Sequence, residues 1–495
     1  MSQLLDALAD GKRARTVVLA FLALYAVSFA VFYPSVITVA DEGSYVRQAN
    51  LILAGSDTVE KIHPFTGVVI DYKPINDYPL GTALLLVPFV AVGGWQAAFV
   101  VPMLCLLFGV WITARWLEEE GHSPLFALFV LAYPPALVFG RIAMSDAPSL
   151  LVAAAGLWLF WRGQDRPAPT WLAAGFVAGV SLLFRESNAL VFAPFFVGAV
   201  LRGESKSWAL VVGGLLGVGA RMLAGQLFFG DAFFAKRPES FSLSLVAGNL
   251  PLQALALLVL VPGGLLAGFA YRGRRWPELV ATVAIFPAFY ALYEYSAAES
   301  ALWKRLVLGP RYFLPLLPLL ALGLADVLPR AWDGLRRRAG DRRLLLARMG
   351  SLAFGLWIAG IALAIVVVNV GHARWGEGQA RIRDAIYAGT PEGSVIVTNW
   401  RATGKFIDIV YGDRFPLRRE GLNARHTAAL ARKQGEFFVV LLDRSDSEFW
   451  RRNARDNARF IRRLRPRPSL ELDLEVTSTD RLRIWRVTQP ETERP

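Results

Sequence analysis

The stretch 97-AAFVVPMLCLLFGVWITA-114 contains eighteen residues without one charged side chain. An α-helix needs about 20 such residues to cross the hydrocarbon core of a bilayer. Comparable apolar runs recur from about residue 17 to about residue 371, and the remainder of the chain is more polar. The pattern therefore predicts a membrane part followed by a soluble part.

The composition indicates the same class. Of the 495 residues, 55% are hydrophobic and 19% are charged, and the mean hydropathy is +0.41, which is too apolar for a soluble protein of this length. A net charge of +13 would suggest nucleic acid in a soluble protein. Here the arginines lie mostly in short loops between apolar runs, which indicates membrane topology and predicts no nucleic-acid partner. The single cysteine, Cys105, lies inside an apolar run, so no intrachain disulfide is possible.

The apolar runs give eleven candidate spans. They are about 17–37, 97–114, 124–140, 148–161, 170–184, 188–201, 208–229, 250–270, 278–295, 312–328 and 350–371. If the N-terminus is cytoplasmic, the loop 330–348, with seven Arg against two Asp, stays in the cytoplasm, as the positive-inside rule requires. The loop 38–79 and the tail after 371 then lie outside. The segment 79–94 is short and contains two prolines, so we expect a re-entrant or interfacial helix there.

The predicted fold is therefore mainly α: a polytopic helical bundle over 1–371 and an extracytoplasmic α/β domain over 372–495. We expect a multi-pass protein of the inner (plasma) membrane. The predicted elements of the tail are strands near 394–400 and 435–444, a helix over about 446–464, and alternating strands within 469–488.

Ionisable residues gather at the outer ends of the predicted spans. They are Asp41, Glu42, Lys73, Arg141, Asp146, Arg185, Glu186, Arg221, Lys304, Arg305 and Arg311. Charges at membrane depth are costly and usually pair or line a wet cleft. Carboxylates with several cations could deprotonate a hydroxyl and neutralise a phosphate leaving group. These residues alone predict a site for an anionic lipid headgroup.

Several of these residues also have a purely structural interpretation. Asp41 and Glu42 could cap a helix over 43–55, and Asp146 could cap the span that begins near 148. Lys73 could be an ordinary surface residue.

Two further features of the sequence also have a structural interpretation. The arginine cluster 451–468 is typical of a solvated helix face, with contact to anionic headgroups or to an anionic acceptor as the alternative. His63 and His372 lack partners at metal-ligand spacing, and the outer loops contain no DxD motif, so we predict no metal site and no cofactor, without excluding a divalent metal.

Five motifs occur in one order along the membrane part. They are 41-DEGSYVRQANLILAGSD-57, 71-DYKPINDYPLG-81, 140-GRIAMSDAPSLLVAAAGLWLF-160, 182-LLFRESNALVFAPF-195 and 309-GPRYFLPLLPLLALGLA-325. In order and spacing this set resembles the GT-C superfamily of membrane glycosyltransferases. Within it the set is most similar to glycosyltransferase family 39, which includes protein O-mannosyltransferases and the aminoarabinose transferase of lipid A. The resemblance covers about residues 15 to 330.

The resemblance implies a polyprenyl-phosphate-linked sugar donor, transfer on the outer face of the membrane, and inversion by direct displacement. The acceptor would be a lipid, a glycan or a protein, and the membrane lipids would be further partners. The implied catalytic residues are Asp41, with Glu42 beside it, and Asp146 as a second carboxylate. The implied ligands of the donor phosphate are Lys73, Arg185 and Arg311. From their position at the span ends, and not from the resemblance, Arg141, Arg221, Lys304 and Arg305 are candidate supporting residues.

One departure from the family pattern concerns the acceptor side. The family often continues its Lys-Pro motif with a further proline and aromatic residues, whereas this chain has 73-KPINDYPLG-81, so contacts to the acceptor are expected to differ. The alternative functions are a transporter or flippase of a lipid-linked anion, and a scaffold without activity whose outer domain binds a partner. A transporter commonly contains paired repeats with broken helices, and no such pairing is visible in the sequence.

Overall fold

A computed structural model describes residues 11–63, 68–72, 78–234, 241–293, 309–338, 343–399, 414–419, 422–445, 448–464 and 467–489. Its α-helices are α1 (Gly11–Val31), α2 (Ala40–Ala54), α3 (Leu80–Gly93), α4 (Val100–Glu119), α5 (Leu128–Ala132), α6 (Pro134–Phe139), α7 (Asp146–Gly163), α8 (Ala168–Val180), α9 (Ala189–Leu201), α10 (Ser207–Phe229), α11 (Val246–Val259), α12 (Gly264–Ala270), α13 (Trp276–Ala291), α14 (Leu317–Arg338), α15 (Arg343–Gly389), α16 (Ala424–Gln434) and α17 (Glu448–Arg463). Its strands are β1 (Val59–Ile62), β2 (Val69–Tyr72), β3 (Val395–Thr398), β4 (Phe415–Arg418), β5 (Glu436–Arg444), β6 (Ser469–Glu475) and β7 (Asp480–Thr488).

Within the described ranges, five helical segments are long and apolar enough to cross a membrane. They are Gly11–Val31, Trp95–Glu119, Ser207–Phe229, Gly309–Arg338 and Arg348–Gly389. Shorter apolar helices are Leu80–Gly93, Ala168–Leu183, Glu186–Leu201 and Trp276–Ala291. The predicted helical membrane class therefore agrees with the observed helices, although several of the eleven predicted spans are shorter than expected.

Two predicted spans are broken. The run 124–140 forms a 3-10 turn and then α5 and α6, which are separated at Tyr133. Pro134 and Pro135 follow that residue, and a proline restricts the preceding residue to extended backbone. The run 250–270 forms α11 and α12, which meet at 91° beside Gly263, a residue in the left-handed region with φ 72°. Apolar periodicity does not report either break, because all these pieces remain hydrophobic.

The chain forms two compact units. The first contains residues 1–33, 79–85 and 99–371, and the second contains 34–78, 86–98 and 372–495. The loop that includes α2 thus belongs to the same unit as the C-terminal part. The predicted boundary at 371 does not include this grouping.

In the first unit, α8 and α10 approach each other through glycines. A Cβ on Gly175 would lie 2.0 Å from the Leu210 carbonyl oxygen, and a Cβ on Gly213 would lie 2.0 Å from the Leu172 carbonyl oxygen. Gly179 and Gly217 repeat this contact one turn further along the two helices. Small residues four positions apart allow the backbones of membrane helices to come this close. The pair α8 and α10 supports the segment that carries Arg185.

The second unit is built on a five-stranded sheet in the order β4-β3-β5-β7-β6. Strands β3, β4 and β5 are parallel, and β7 is antiparallel to both β5 and β6. The end of α15 packs on one face of the sheet through Ile382 and Ile386. Leu430 of α16 and Leu464, next to the end of α17, pack on the other face. Since both faces are covered, β5 is buried along most of its length.

The predicted α/β tail is confirmed in its principal elements. Strands β3, β5, β6 and β7 and helix α17 lie within a few residues of their predicted positions. Helix α16, strand β4 and the antiparallel pair β1 and β2 in the loop 38–79 were not predicted. The three strands have four residues each, and elements this short carry little periodicity.

Candidate active site

Asp146 and Arg185 form a buried ion pair in the first unit. Arg185 Nη2 lies 2.7 Å from Asp146 Oδ1, and Arg185 Nε donates to Ser145 Oγ at 2.9 Å. The Asp146 side chain has no exposed surface, and the Arg185 side chain is 11% exposed. Asp146 Oδ2 and Arg185 Nη1 are buried and have no hydrogen-bond partner in the described part of the chain. Each group therefore keeps one hydrogen-bonding position unused.

Tyr312 brings a second arginine to this pair. The Arg185 guanidinium lies 4.9 Å from the centre of the Tyr312 ring, and the Arg311 guanidinium lies 5.0 Å from the same centre. The two cations are therefore at most about 10 Å apart, close enough to repel each other across a site with little water. The ring of Tyr290 stacks on Tyr312 with centroids 4.8 Å apart. The Tyr290 hydroxyl is 2.7 Å from Ser187 Oγ.

Local backbone structure fixes both members of the ion pair. Asp146 is the first residue of α7, where a carboxylate is favoured by the positive end of the helix dipole. Arg185 has extended backbone, φ −155° and ψ 132°, between two short 3-10 turns, so its side chain leaves the helical path at this point. Asn188 Nδ2 donates to the Ser181 carbonyl oxygen at 3.0 Å and closes the segment that contains Arg185.

Arg311 is held by a 3-10 segment, Gly309–Leu316, at the entry to α14. Its guanidinium lies 5.0 Å from the centre of the Phe139 ring, and its Nη1 lies 3.8 Å from Met144 Sδ. The Tyr133 hydroxyl donates to the Pro310 carbonyl oxygen at 2.6 Å, which attaches this segment to the break between α5 and α6. The broken span thus helps to position a candidate phosphate ligand. Asp146, Arg185 and Arg311 are brought together.

Arg141 lies in a different environment. Its side chain is fully buried, donates to Asn369 Oδ1 and to the Phe32 carbonyl oxygen, and lies 5.2 Å from the centre of the Phe29 ring. These contacts attach the loop before Asp146 to α1 and α15. They give Arg141 a structural role near the site.

Arg221, in α10, has its own set of partners. Arg221 Nη2 donates to the Phe234 carbonyl oxygen at 2.6 Å and lies 3.6 Å from Glu186 Oε1. A small cavity beside this pair is lined by residues that include Pro79, Leu183 and Phe229. Arg221 is thus linked to the Arg185 segment through Glu186.

In the second unit, one face of α2 holds Tyr78. The Tyr78 hydroxyl donates to Asp41 Oδ1 at 2.6 Å, the rings of Tyr45 and Tyr78 are 5.0 Å apart, and Gln48 Nε2 donates to the Tyr78 carbonyl oxygen at 2.7 Å. Residues 41, 45 and 48 follow the i, i+4, i+7 spacing of one helix face. Asp41 in the first motif is thereby joined to the second motif, 71–81.

Glu42 has a different environment from its neighbour. Glu42 has no exposed surface, and its Oε2 accepts hydrogen bonds from the backbone N–H of Thr38 at 2.8 Å and from Thr38 Oγ1 at 3.2 Å. Asp41 is partly exposed. The carboxylate of Glu42 therefore holds the turn that precedes α2, whereas that of Asp41 is the more accessible.

Three predicted residues, Lys73, Lys304 and Arg305, lie outside the described residues. Within the described ranges, no group of three or more His, Cys, Asp or Glu side chains could hold a metal ion. The sequence analysis missed Ser145, Tyr290 and Tyr312. Tyr312 directly follows Arg311 in 309-GPRYF, and aromatic residues beside a cation are a usable signal for a cation–π contact.

Comparison with known proteins bears on the first unit most directly. A family model described as dolichyl-phosphate-mannose-protein mannosyltransferase matches residues 79–225. That range contains Asp146 and Arg185, but neither Asp41 nor Arg311. The search of curated proteins found no match.

The fold has a counterpart among solved structures. The crystal structure of ArnT from Cupriavidus metallidurans in the apo state is similar over 96% of this chain and 98% of that chain, with a TM-score of 0.60 and 16% sequence identity. At this identity the likeness is one of fold. Together with the family match, it confirms the predicted resemblance to membrane glycosyltransferases of the GT-C type.

Proposed function

We propose that the protein moves a sugar from a polyprenyl-phosphate carrier to an acceptor on the extracytoplasmic side of the inner membrane, with inversion at the anomeric carbon. Family members of this type use polyprenyl-phosphate-linked donors and lipid or protein acceptors. The arginine-rich loop 330–348 supports a cytoplasmic position for that loop and hence an outward-facing catalytic side.

The observation that carries the proposal is the pair of arginines on one tyrosine ring. Arg185 and Arg311 both lie within 5.0 Å of the Tyr312 ring centre, and Arg185 Nη1 has no partner among the described residues. Two nearby guanidinium groups favour an anion between them, and guanidinium binds phosphate through parallel hydrogen bonds. We assign the departing lipid phosphate to this position.

Asp146 is the positioning residue of this clamp. Its Oδ1 is used by Arg185, and its side chain is fully buried, so the main effect of its charge is to orient and partly neutralise that cation. A guanidinium that is already fixed needs no reorganisation when negative charge develops on the phosphate, and this is how preorganised donors lower an activation barrier.

Asp41 is the proposed base. The acceptor oxygen attacks C1 of the sugar, the bond between C1 and the phosphate oxygen breaks, and its electron pair leaves with the polyprenyl phosphate. The acceptor proton passes to Asp41. The hydrogen bond from the Tyr78 hydroxyl to Oδ1 orients the Asp41 carboxylate. Glu42, bonded through its carboxylate to Thr38, stabilises the helix start instead.

Transfer assays with the purified full chain test this assignment. The donors are radiolabelled undecaprenyl-phosphate sugars, and the readout is the release of free undecaprenyl phosphate. Because a general base contributes about 10²–10⁴-fold to a rate, Asp41→Asn is expected to lower kcat by about 100-fold or more with the donor KM unchanged.

Asp71→Asn makes the same chemical change at an exposed position of the same loop and should retain wild-type turnover. Wild-type turnover in the Asp41 variant would remove Asp41 from the chemistry. Movement of intact donor between leaflets, without release of undecaprenyl phosphate, would instead indicate a transporter.

A further inference from the structure

The helix α17 carries a line of arginines at four-residue intervals: Arg451, Arg455, Arg459 and Arg463. All four side chains are exposed. A four-residue step advances about 6 Å along an α-helix, so the line extends over about 18 Å. A line of arginines on a helix is often only a solvated face. The line on α17 differs from an ordinary solvated face because cavities lie along it.

Two cavities of the second unit lie along this line. The first, which we call the hairpin cleft, has a volume of about 800 Å³ and is lined by Arg451 and Arg455, by the end of β5, and by the turn between β6 and β7. The second, the helix cleft, has a volume of about 300 Å³ and is lined by Arg459 and Arg463 together with the start of α16. The four arginines therefore divide between two concave sites.

The hairpin cleft contains charged groups of both signs. Among the described residues, Arg451, Arg455 and Glu448 form no hydrogen bond or ion pair through their side chains, whereas Glu475 lies opposite Arg481 in the β6–β7 pair and interacts with its charge. The hydroxyl-bearing residues 477–479 line the same cleft. Charged side chains usually pair when a partner is within reach, so unpaired groups facing one cavity are available to a ligand.

This combination selects one class of ligand. Guanidinium groups bind phosphate or carboxylate, whereas free carboxylates accept hydrogen bonds from hydroxyl groups. A flat anionic bilayer would be repelled by Glu448 and Glu475 and could not enter a concave cleft. A sugar chain that bears phosphate groups satisfies both sets of side chains.

We propose that the α17 arginines and the two clefts bind a phosphorylated oligosaccharide. The binding itself does not depend on catalysis. We further assign the bound oligosaccharide to the acceptor of the transfer reaction, and this step rests on the proposed function. The C-terminal part would then select anionic glycan acceptors.

The helix offers a matched control. Arg452 and Arg462 are exposed arginines on the same helix, and neither lines either cleft. The double variant R451Q/R455Q and the double variant R452Q/R462Q lose the same charge from the same helix. A response to net charge alone would affect both equally, whereas a site in the hairpin cleft would separate them.

Binding is measured with the full chain in phosphatidylcholine nanodiscs at fixed ionic strength. The probe is a fluorescent mannose pentasaccharide that carries one terminal phosphate, and its dephosphorylated form is the second probe. A hydrogen bond to a charged group contributes about 1.5–3 kcal/mol, which corresponds to tenfold or more in Kd. We expect R451Q/R455Q to weaken binding of the phosphorylated probe by about tenfold or more, R452Q/R462Q to change it less than about twofold, and the dephosphorylated probe to bind weakly to every form.

Equal losses in the two double variants would overturn the proposal, as would equal binding of the two probes. Binding to phosphatidylglycerol vesicles in place of the oligosaccharide would overturn it in favour of a membrane contact. The variant Arg185→Gln tests whether the probe binds in the cleft or at the proposed active site. If this variant lost probe binding, the oligosaccharide would be assigned to the proposed active site. Failure of sugar transfer with intact probe binding would count against the proposed function alone.

Discussion

Removal of the Asp146 carboxylate tests the buried ion pair directly. Asp146→Ala leaves the Arg185 guanidinium in a site where it is 11% exposed and where Ser145 Oγ and the Tyr312 ring remain as partners. Loss of one member of a buried pair costs about 3–5 kcal/mol, because the other charge stays buried without compensation. Asp146→Asn keeps a neutral acceptor at the same position, and we expect it to cost about half as much, since charge-assisted hydrogen bonds are roughly twice as strong as neutral ones.

The assay is reversible unfolding in mixed micelles. The exposed pair Arg274 and Asp165 supplies the control, since the Asp165 side chain is 79% exposed and Asp165→Ala should change the unfolding midpoint little. The double variant D146L/R185M removes both buried charges and is expected to be more stable than Asp146→Ala alone. The reasoning would be refuted if Asp146→Ala and Asp165→Ala had the same effect, or if the double variant were less stable than Asp146→Ala.

Kinetics of the Asp146→Asn variant separate positioning from base catalysis. If Asp146 orients Arg185 toward the donor phosphate, the variant should raise the donor KM and lower kcat/KM by about 10–100-fold, which corresponds to about 1.4–2.8 kcal/mol of lost transition-state binding. The pH dependence of kcat should stay that of the wild type. Disappearance of the acidic limb of that profile, where the rate falls because the base becomes protonated, would make Asp146 the base and would contradict the role assigned to Asp41.

Two further predictions concern the supporting fold. Gly175→Ala should destabilise the protein by about 1–3 kcal/mol in the same unfolding assay, because its Cβ would lie 2.0 Å from the Leu210 carbonyl oxygen. A Cβ on Gly219 would have nothing within 4 Å, so Gly219→Ala should not destabilise the protein. Equal stability of the two variants would contradict the close approach of α8 and α10. In the second unit, the hydrogen bond from Arg481 lowers the pKa of Asp473. The ionised carboxylate therefore stabilises the fold above about pH 4, the ordinary pKa of an aspartate. This contribution is lost as the pH falls through the lowered pKa. Wild type and Asp473→Asn should therefore differ in midpoint at pH 7 and converge at low pH, and a difference that persists at low pH would exclude this pair as its origin.

The sequence predicted the elements that carry strong periodicity or a charge at a helix end. The tail strands and α17 follow from alternation and from an amphipathic pattern, and Asp146 and Arg185 follow from charges next to apolar runs. The partner of Arg185 was not predicted as such, because residues 39 positions apart meet only through tertiary packing. The breaks at Tyr133 and Gly263 were not predicted, because the residues on both sides of each break are hydrophobic and hydropathy does not report the direction of the helix axis.

The difference between Asp41 and Glu42 could not be predicted from two adjacent acids in one sequence. Both lie in the first turn of α2, where a negative charge is favoured whichever residue supplies it. The distinction arises from what each side chain contacts, since Glu42 turns back to Thr38 and Asp41 meets Tyr78. The structural and the chemical interpretation of the acidic pair are therefore compatible, because the structural role belongs to Glu42 and the proposed chemical role to Asp41.

The two clusters of charge also differ in the way that catalysis requires. The carboxylate proposed as the base is partly exposed and accepts a hydrogen bond from a neutral hydroxyl. The carboxylate proposed to position the clamp is fully buried against a cation. The contacts of the two residues, more than their residue type, support the assignment of roles, and kinetics of the two Asn variants can test it independently of any model of the bound donor.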